Sequence, residues 1–132
     1  MTVSVETGRC VAVADDDAGF REFVAEALRF DGFDVVELAD GAELFDYLAA
    51  VHMGRRPRPY LVISDVRMPG FDGLEILDLV RQSGAGTPVV LVTAAGDAPT
   101  QDEALRLGAA ALVRKPVGLQ DLLQVVQRHA GA

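Results

Sequence analysis

Five short apolar runs alternate with five helix-period segments along the chain. The runs are Cys10 to Ala14 (CVAVA), Asp34 to Leu38 (DVVEL), Tyr60 to Ser64 (YLVIS), Pro88 to Val92 (PVVLV) and Ala111 to Arg114 (ALVR). Four of them are nearly continuous in Val, Leu, Ile and Ala, the pattern of parallel strands covered on both faces. The run at 34 to 38 is more polar and belongs at or near a sheet edge. Between the runs, Phe20, Phe23, Val24, Ala27 and Leu28 recur at the spacing of one helical face, with Asp17 placed to cap it. Asp40-Gly41 introduces a second helix carrying Leu44, Tyr47 and Leu48. Leu74, Leu77 and Val80 mark a third, followed by Gly84 and Gly86. A weakly patterned fourth runs from about Pro99 to Leu107 and meets Gly108, a C-terminal glycine, and Leu119, Leu122, Leu123 and Val126 mark the fifth. His52 to Pro59 (HMGRRPRP) reads as a slightly long loop before the third strand.

Strand–helix alternation of this kind predicts an α/β architecture, an open parallel sheet with helices on both faces and right-handed crossovers. With 132 residues, half of them hydrophobic, the chain can bury one core of ordinary domain size and has little room for a second. The expectation is a single domain over 1–132, its core spanning about 9–130, with no output domain. Among the permitted topologies, strand order 2-1-3-4-5 opens a ligand crevice at the carboxyl ends of the first and third strands.

The chemistry collects at those strand ends. Asp15 and Asp16 follow the first strand, Asp65 the third, Thr93 the fourth and Lys115 the fifth. Three carboxylates in one crevice raise one another's pKa, and a divalent cation relieves the repulsion. An oxygen-only site suits Mg²⁺, which takes one or two carboxylates and leaves positions for water and phosphate oxygens. A carboxylate is also able to attack phosphorus and form an aspartyl phosphate. Catalysis of that transfer needs positioning and positive charge more than acid–base work, and Lys115 and Thr93 supply an ammonium and a hydroxyl. Lys115 is the only lysine beside eleven arginines, which suggests a requirement for a compact ammonium. Pro116 follows it, so that peptide bond can be cis. Other acidic residues have plainer roles. Asp17 reads as a cap, Asp40 and Asp72 as turn or cap residues, and Asp97, Asp102 and Glu103 as a solvated face. His52 and His129 have no metal-ligand partner at useful spacing and belong to the surface.

Net charge changes the list of partners. At −8, with a pI near 4.6, the chain is unsuited to non-specific binding of nucleic acid or anionic membrane. The basic cluster Arg55, Arg56 and Arg58 lies among prolines and reads as a solvated loop. No window approaches the roughly 18 apolar residues of a membrane span, and the opening residues lack the pattern of a secretory leader. Cys10 is a lone cysteine in an apolar run, hence a buried structural thiol, and cytoplasmic localisation is expected.

With these residues in view, the chain resembles the receiver domains of bacterial two-component response regulators. VADDD at 13–17 matches the acidic pair after the first strand, and ISDVRMPGFDG at 63–73 matches the phosphoacceptor segment. VTA at 92–94 and RKP at 114–116 match the remaining two motifs. The resemblance implies a flavodoxin-like (βα)5 fold of order 2-1-3-4-5 and phosphorylation of Asp65 by a sensor histidine kinase or histidine phosphotransfer protein. It implies Mg²⁺ held by Asp16 and Asp65, by Asp15 mainly through water, and by the backbone carbonyl of Arg67. Thr93 and Lys115 would then hold the phosphoryl group. Output would pass through the fourth helix, fifth strand and fifth helix, which could also form a homodimer. Arg67 and Ala95 occupy the positions that tune autodephosphorylation, and alanine there implies a slow decay. Two positions depart from the pattern: Leu112 stands where the family usually has a switching aromatic, and Val117 where it often has Phe. A rearrangement near the fourth helix that is smaller or uses leucine packing is therefore expected.

Two other functions compete with this reading. One is an interaction module of the same fold that works without phosphorylation, which the change at 112 favours. The other is an aspartate-nucleophile phosphohydrolase using Asp15 and Asp17, although the chain has no substrate-sized insertion and Asp65 would go unexplained.

Overall fold

The strands β1 (Cys10–Ala14), β2 (Asp34–Leu38), β3 (Leu61–Asp65), β4 (Val89–Thr93) and β5 (Ala111–Arg114) form one parallel sheet in the order β2-β1-β3-β4-β5. The computed structural model describes residues 9–94 and 98–129. The helices are α1 (Ala18–Phe30), α2 (Gly41–His52), α3 (Gly73–Ser83), α4 (Ala98–Leu107) and α5 (Leu119–His129). β3 and β4 begin and end one residue later than the apolar runs suggest, so Asp65 and Thr93 are the last residues of their strands rather than the first residues past them.

Alternation along each strand sorts the core into two layers. Ala12, Ala14, Val62, Val89 and Leu91 face α2, α3 and α4, packing with Leu44, Tyr47, Ile76, Leu77 and Ala104. Val11, Val13, Leu61, Ile63, Val90 and Val92 face the other way, against Val24 and Leu28 of α1 and Leu122 and Val126 of α5. β1 and β4 are buried along their whole length, as central parallel strands should be. β5, although apolar, is only half-buried, because it closes the sheet opposite β2 and has a neighbour on one side alone.

Caps fix where the helices begin. Asp17, Asp40 and Asp72 each accept a hydrogen bond from the backbone N–H three residues on, and Asp72 with Glu75 completes a capping box. Gly84 ends α3 in the left-handed conformation, with φ of 74°. In α1 the apolar face differs from the expected one. Val24, Ala25 and Leu28 are buried, whereas Phe23 is 52% exposed. Phe20, one turn earlier, packs against the core layer, whereas Phe23 lies at the margin of the buried face and lines the strand-end cleft with Lys115, Pro116 and Val117. Cys10 is buried and free, with its thiol 4.0 Å from the Tyr47 hydroxyl. Burial pushes its pKa up, as expected of an inert structural thiol. Among the described residues, no helix is long and apolar enough to cross a membrane.

Candidate functional site

Parallel strands running the same way deliver their last residues to one edge, and there the carboxylates meet. Asp15, Asp16 and Asp65 offer oxygens that all lie within 4.8 Å of one another. Lys115 reaches in from the end of β5. Its Nζ is 2.9 Å from Asp15 Oδ2 and 3.7 Å from Asp65 Oδ2. The Lys115–Pro116 bond is cis. The ammonium also lies over the Phe20 ring, 4.5 Å from its centroid. Thr93 is buried, its hydroxyl donates to Ala94 O at 3.4 Å, and its carbonyl accepts from the Lys115 N–H at 2.7 Å. The carboxylates, ammonium and hydroxyl that the sequence analysis singled out thus share one strand-end edge.

The three aspartates differ in surroundings. Asp15 is almost fully buried, and its second oxygen accepts from the Asp17 N–H at 2.9 Å. Asp16 is exposed and Asp65 half-buried. Asp17 caps α1, accepting from the Phe20 N–H at 3.2 Å. Arg67 is exposed, and its backbone N–H bonds the Asp65 carboxylate. Leu112 is half-buried and packs on the layer under α3 and α4. Ala95 and Asp97 lie outside the described residues, while Asp102 and Glu103 are exposed as expected.

Burial and the charge of Asp15 push the Asp65 carboxyl up to about 6, against the opposing pull of Lys115 and the backbone N–H groups of Arg67 and Val66. Burial pulls the Lys115 ammonium toward neutrality, but the hydrogen bond to Asp15 and the charges of Asp15, Asp65 and Asp17 outweigh it, and its pKa lies above the ordinary lysine value. A carboxyl with a raised folded-state pKa favours folding most below its unfolded pKa, and that contribution is lost as pH rises through the folded value. In metal-free buffer, the stability due to Asp65 therefore falls between about pH 4 and pH 6. Asp65→Asn is expected to be more stable than the parent by about 1–2 kcal/mol at pH 7 and indistinguishable from it near pH 4. Urea titrations in EDTA at the two pH values measure this. Equal stability at pH 7 would contradict the raised pKa.

The donor set fits a divalent cation. Oxygens from three carboxylates converge, one of them on a side chain that is almost fully buried, and one ammonium at 2.9 and 3.7 Å is the cation bridging two of them. Hard oxygen donors in excess of the positive charge suit Mg²⁺ better than a softer metal.

Two contributors escaped the sequence reading. Arg21 donates from Nη1 to the Asp15 carbonyl at 2.8 Å and pairs through Nε with Glu37 at 3.4 Å, holding the turn after β1. An arginine in the first turn of a helix opposes the helix dipole, and that misplacement was the available signal. The second is the seat of the loop after Asp65. The Gly41 N–H donates to the Pro69 carbonyl at 2.9 Å, and Phe71 stacks on Phe45 with centroids 4.6 Å apart.

A family model described as response regulator receiver domain matches residues 11–127. The chain belongs to that family. The receiver domain is 40% identical over 120 residues to the response regulator protein FleR of Pseudomonas aeruginosa, covering 91% of this chain and 24% of the relative. It is 36% identical over 106 residues to the transcriptional regulatory protein FixJ of Bradyrhizobium diazoefficiens, covering 80% of this chain and 49% of the relative. The chain thus spans about a quarter to a half of the length of these relatives. Among solved structures, it is similar to the chemotaxis protein CheY4 of Vibrio cholerae, with a TM-score of 0.77 and 30% identity over 91% of this chain and 97% of that one. A CheY-like receiver domain from Methanospirillum hungatei gives a TM-score of 0.80 at 25% identity, covering 91% of each chain. The fold is the flavodoxin-like one of these proteins, and receiver domains of response regulators act in phosphorylation-dependent two-component signalling.

Proposed function

We propose that this receiver domain accepts a phosphoryl group on Asp65 from a sensor histidine kinase or a histidine phosphotransfer protein. An Asp65 carboxylate oxygen bonds to phosphorus as the phosphorus–nitrogen bond to the donor imidazole breaks. The observation that supports this reading most strongly is the three-carboxylate cluster with Lys115 Nζ 3.7 Å from Asp65 Oδ2. Lys115 meets the charge that develops on the phosphoryl oxygens, Thr93 offers its hydroxyl to one of them, and Asp15 holds the ammonium in place from 2.9 Å. Asp15, Asp16, Asp65 and the Arg67 carbonyl would hold Mg²⁺, which supplies further positive charge when bound. Phe20 and Phe23 give the cleft beside Asp65 an apolar wall on which a helical donor protein can sit.

Phosphorylation adds about −1.5 to −2 charge at Asp65, and α4, β5 and α5 form the output and homodimer surface. Leu105 on α4 is 61% exposed, which suits a contact face. Leu112 is smaller than the usual aromatic, so the rearrangement there is smaller. Arg67 and Ala95 occupy the sequence positions that tune autodephosphorylation in receiver domains, and alanine cannot orient an attacking water, so the phosphoryl group is long-lived. The receiver domain acts in the cytoplasm, and the net charge of −8 disfavours non-specific contact with nucleic acid or anionic membrane.

Incubation with acetyl phosphate and Mg²⁺ is expected to add one phosphoryl group by intact mass, with no gain in EDTA. No gain in either buffer would turn the reading to an interaction module that works without phosphorylation.

A further inference from the structure

At the end of the molecule away from the acidic cluster, an apolar groove of about 430 Å³ runs between the C-terminal halves of α2 and α3. Phe45, Leu48 and Ala49 wall it on one side and Leu79 and Val80 on the other, and Pro59 adds a further apolar contact from the loop before β3. Leu79 is left 37% exposed, an apolar side chain that the fold itself does not cover. The span from Phe45 to His52 is about 10 Å of helix, two turns long. Basic side chains stand at the rim, with Arg58 and Arg55 carrying the charge. His52 lines it, and Arg58 crosses to donate from Nη1 to the carbonyl of Ala85, another lining residue, at 3.0 Å. Arg55 is exposed in the same loop. Asp78, near this edge, accepts from Gln82 Nε2 at 2.9 Å. This concentration of positive charge stands out in a chain of net charge −8.

We propose that this groove is a docking surface for an acidic amphipathic helix of a partner protein. Two turns of such a helix lay large apolar side chains at i, i+3 or i+4 and i+7 between α2 and α3, with their acidic flanks against His52 and Arg58. The groove is also tied to the phosphoacceptor loop. Its wall residue Phe45 stacks on Phe71 at 4.6 Å and an interplanar angle of 18°, and Phe71 lies in the loop that follows Asp65. Movement of that loop shifts the groove wall, so docking responds to phosphorylation. This coupling rests on the phosphoacceptor reading above; the docking itself does not.

The test uses the full chain, ¹⁵N-labelled, and three probes. The first is a 14-residue helical peptide of Leu, Phe and Glu with its apolar residues at the stated spacing, the second its Lys-for-Glu counterpart, and the third is decanoate. Amide shifts confined to the C-terminal halves of α2 and α3 and to residues 53–60 are expected from the acidic peptide. It should bind at least fivefold more tightly than the basic one. Leu79→Glu should lose at least tenfold in affinity, and Phe30→Ser, a change at a side chain that is 96% exposed, should lose none. Shifts elsewhere, equal binding of the two peptides, or binding of decanoate without either peptide would overturn the proposal, the last assigning the groove to small amphiphiles. Beryllofluoride with Mg²⁺ should change the peptide affinity at least threefold in the parent and not in Phe71→Leu. An unchanged affinity in a protein that gains its phosphoryl group by mass defeats the coupling alone. Absence of that mass gain defeats the phosphoacceptor reading and the coupling with it.

Discussion

Lys115→Met is expected to take up a phosphoryl group from acetyl phosphate about 100-fold more slowly than the parent, the cost of removing one donor from a site where charge develops. Methionine keeps most of the side chain's length and removes the ammonium, with its contacts to Asp15, Asp65 and the Phe20 ring, so the loss is one of charge. The same change should leave Mg²⁺ affinity equal or higher, because the ammonium at 2.9 and 3.7 Å from Asp15 and Asp65 competes with the cation for those oxygens. A purely structural lysine would give the opposite split, with weaker metal binding and little kinetic change beyond it. Mg²⁺ titration followed by the thermal midpoint, alongside the rate of mass gain, separates the two. Lys115→Arg restores charge but not a compact ammonium and should recover only part of the rate.

Gly41→Ala is expected to cost about 2–4 kcal/mol in urea unfolding, at or above the usual range for overpacking. A Cβ on Gly41 would run into the carbonyl of Phe71 and come within 2.6 Å of the Phe71 C and N atoms. These are backbone atoms that cannot rotate away, so either α2 or the loop after Asp65 has to move. Amide shifts of residues 66–72 should follow and phosphorylation should slow. Gly19→Ala is the control. Its Cβ would meet Asp17 Oδ1 at 3.5 Å, an ordinary contact, and alanine favours the helix by up to about 1 kcal/mol. If the two alanine variants were equally stable, the close seat of the phosphoacceptor loop on α2 would be wrong.

The contrast between these two glycines shows what the sequence could and could not reveal. Asp40-Gly41 reads as a helix start, which it is, but nothing in the local pattern says that a loop thirty residues later presses on that glycine. Strand identity was legible because parallel strands buried on both faces read as continuous apolar runs, and β2 was legible as an edge from its polar residues. β5 looks like a central strand by composition, and its place at the other edge followed only from the expected strand order 2-1-3-4-5. The functional cluster was legible because Asp15, Asp16, Asp65, Thr93 and Lys115 each end or follow a strand, and parallel strands carry their ends to one side. Phe23 was misread as core. Its helical spacing is right, but it sits at the margin of the face that Val24, Ala25 and Leu28 bury, and spacing alone does not show how wide a face the sheet covers.

The central claim is that Asp65 carries the phosphoryl group, and its most direct test is localisation. After incubation with acetyl phosphate and Mg²⁺, borohydride reduces an aspartyl phosphate to homoserine, which tandem mass spectrometry of the peptides carrying Asp15, Asp16 and Asp65 can place. Homoserine at 65 alone, absent from Asp65→Asn, is the expected result. Homoserine at Asp15 or Asp16 with Asp65 intact would contradict the account.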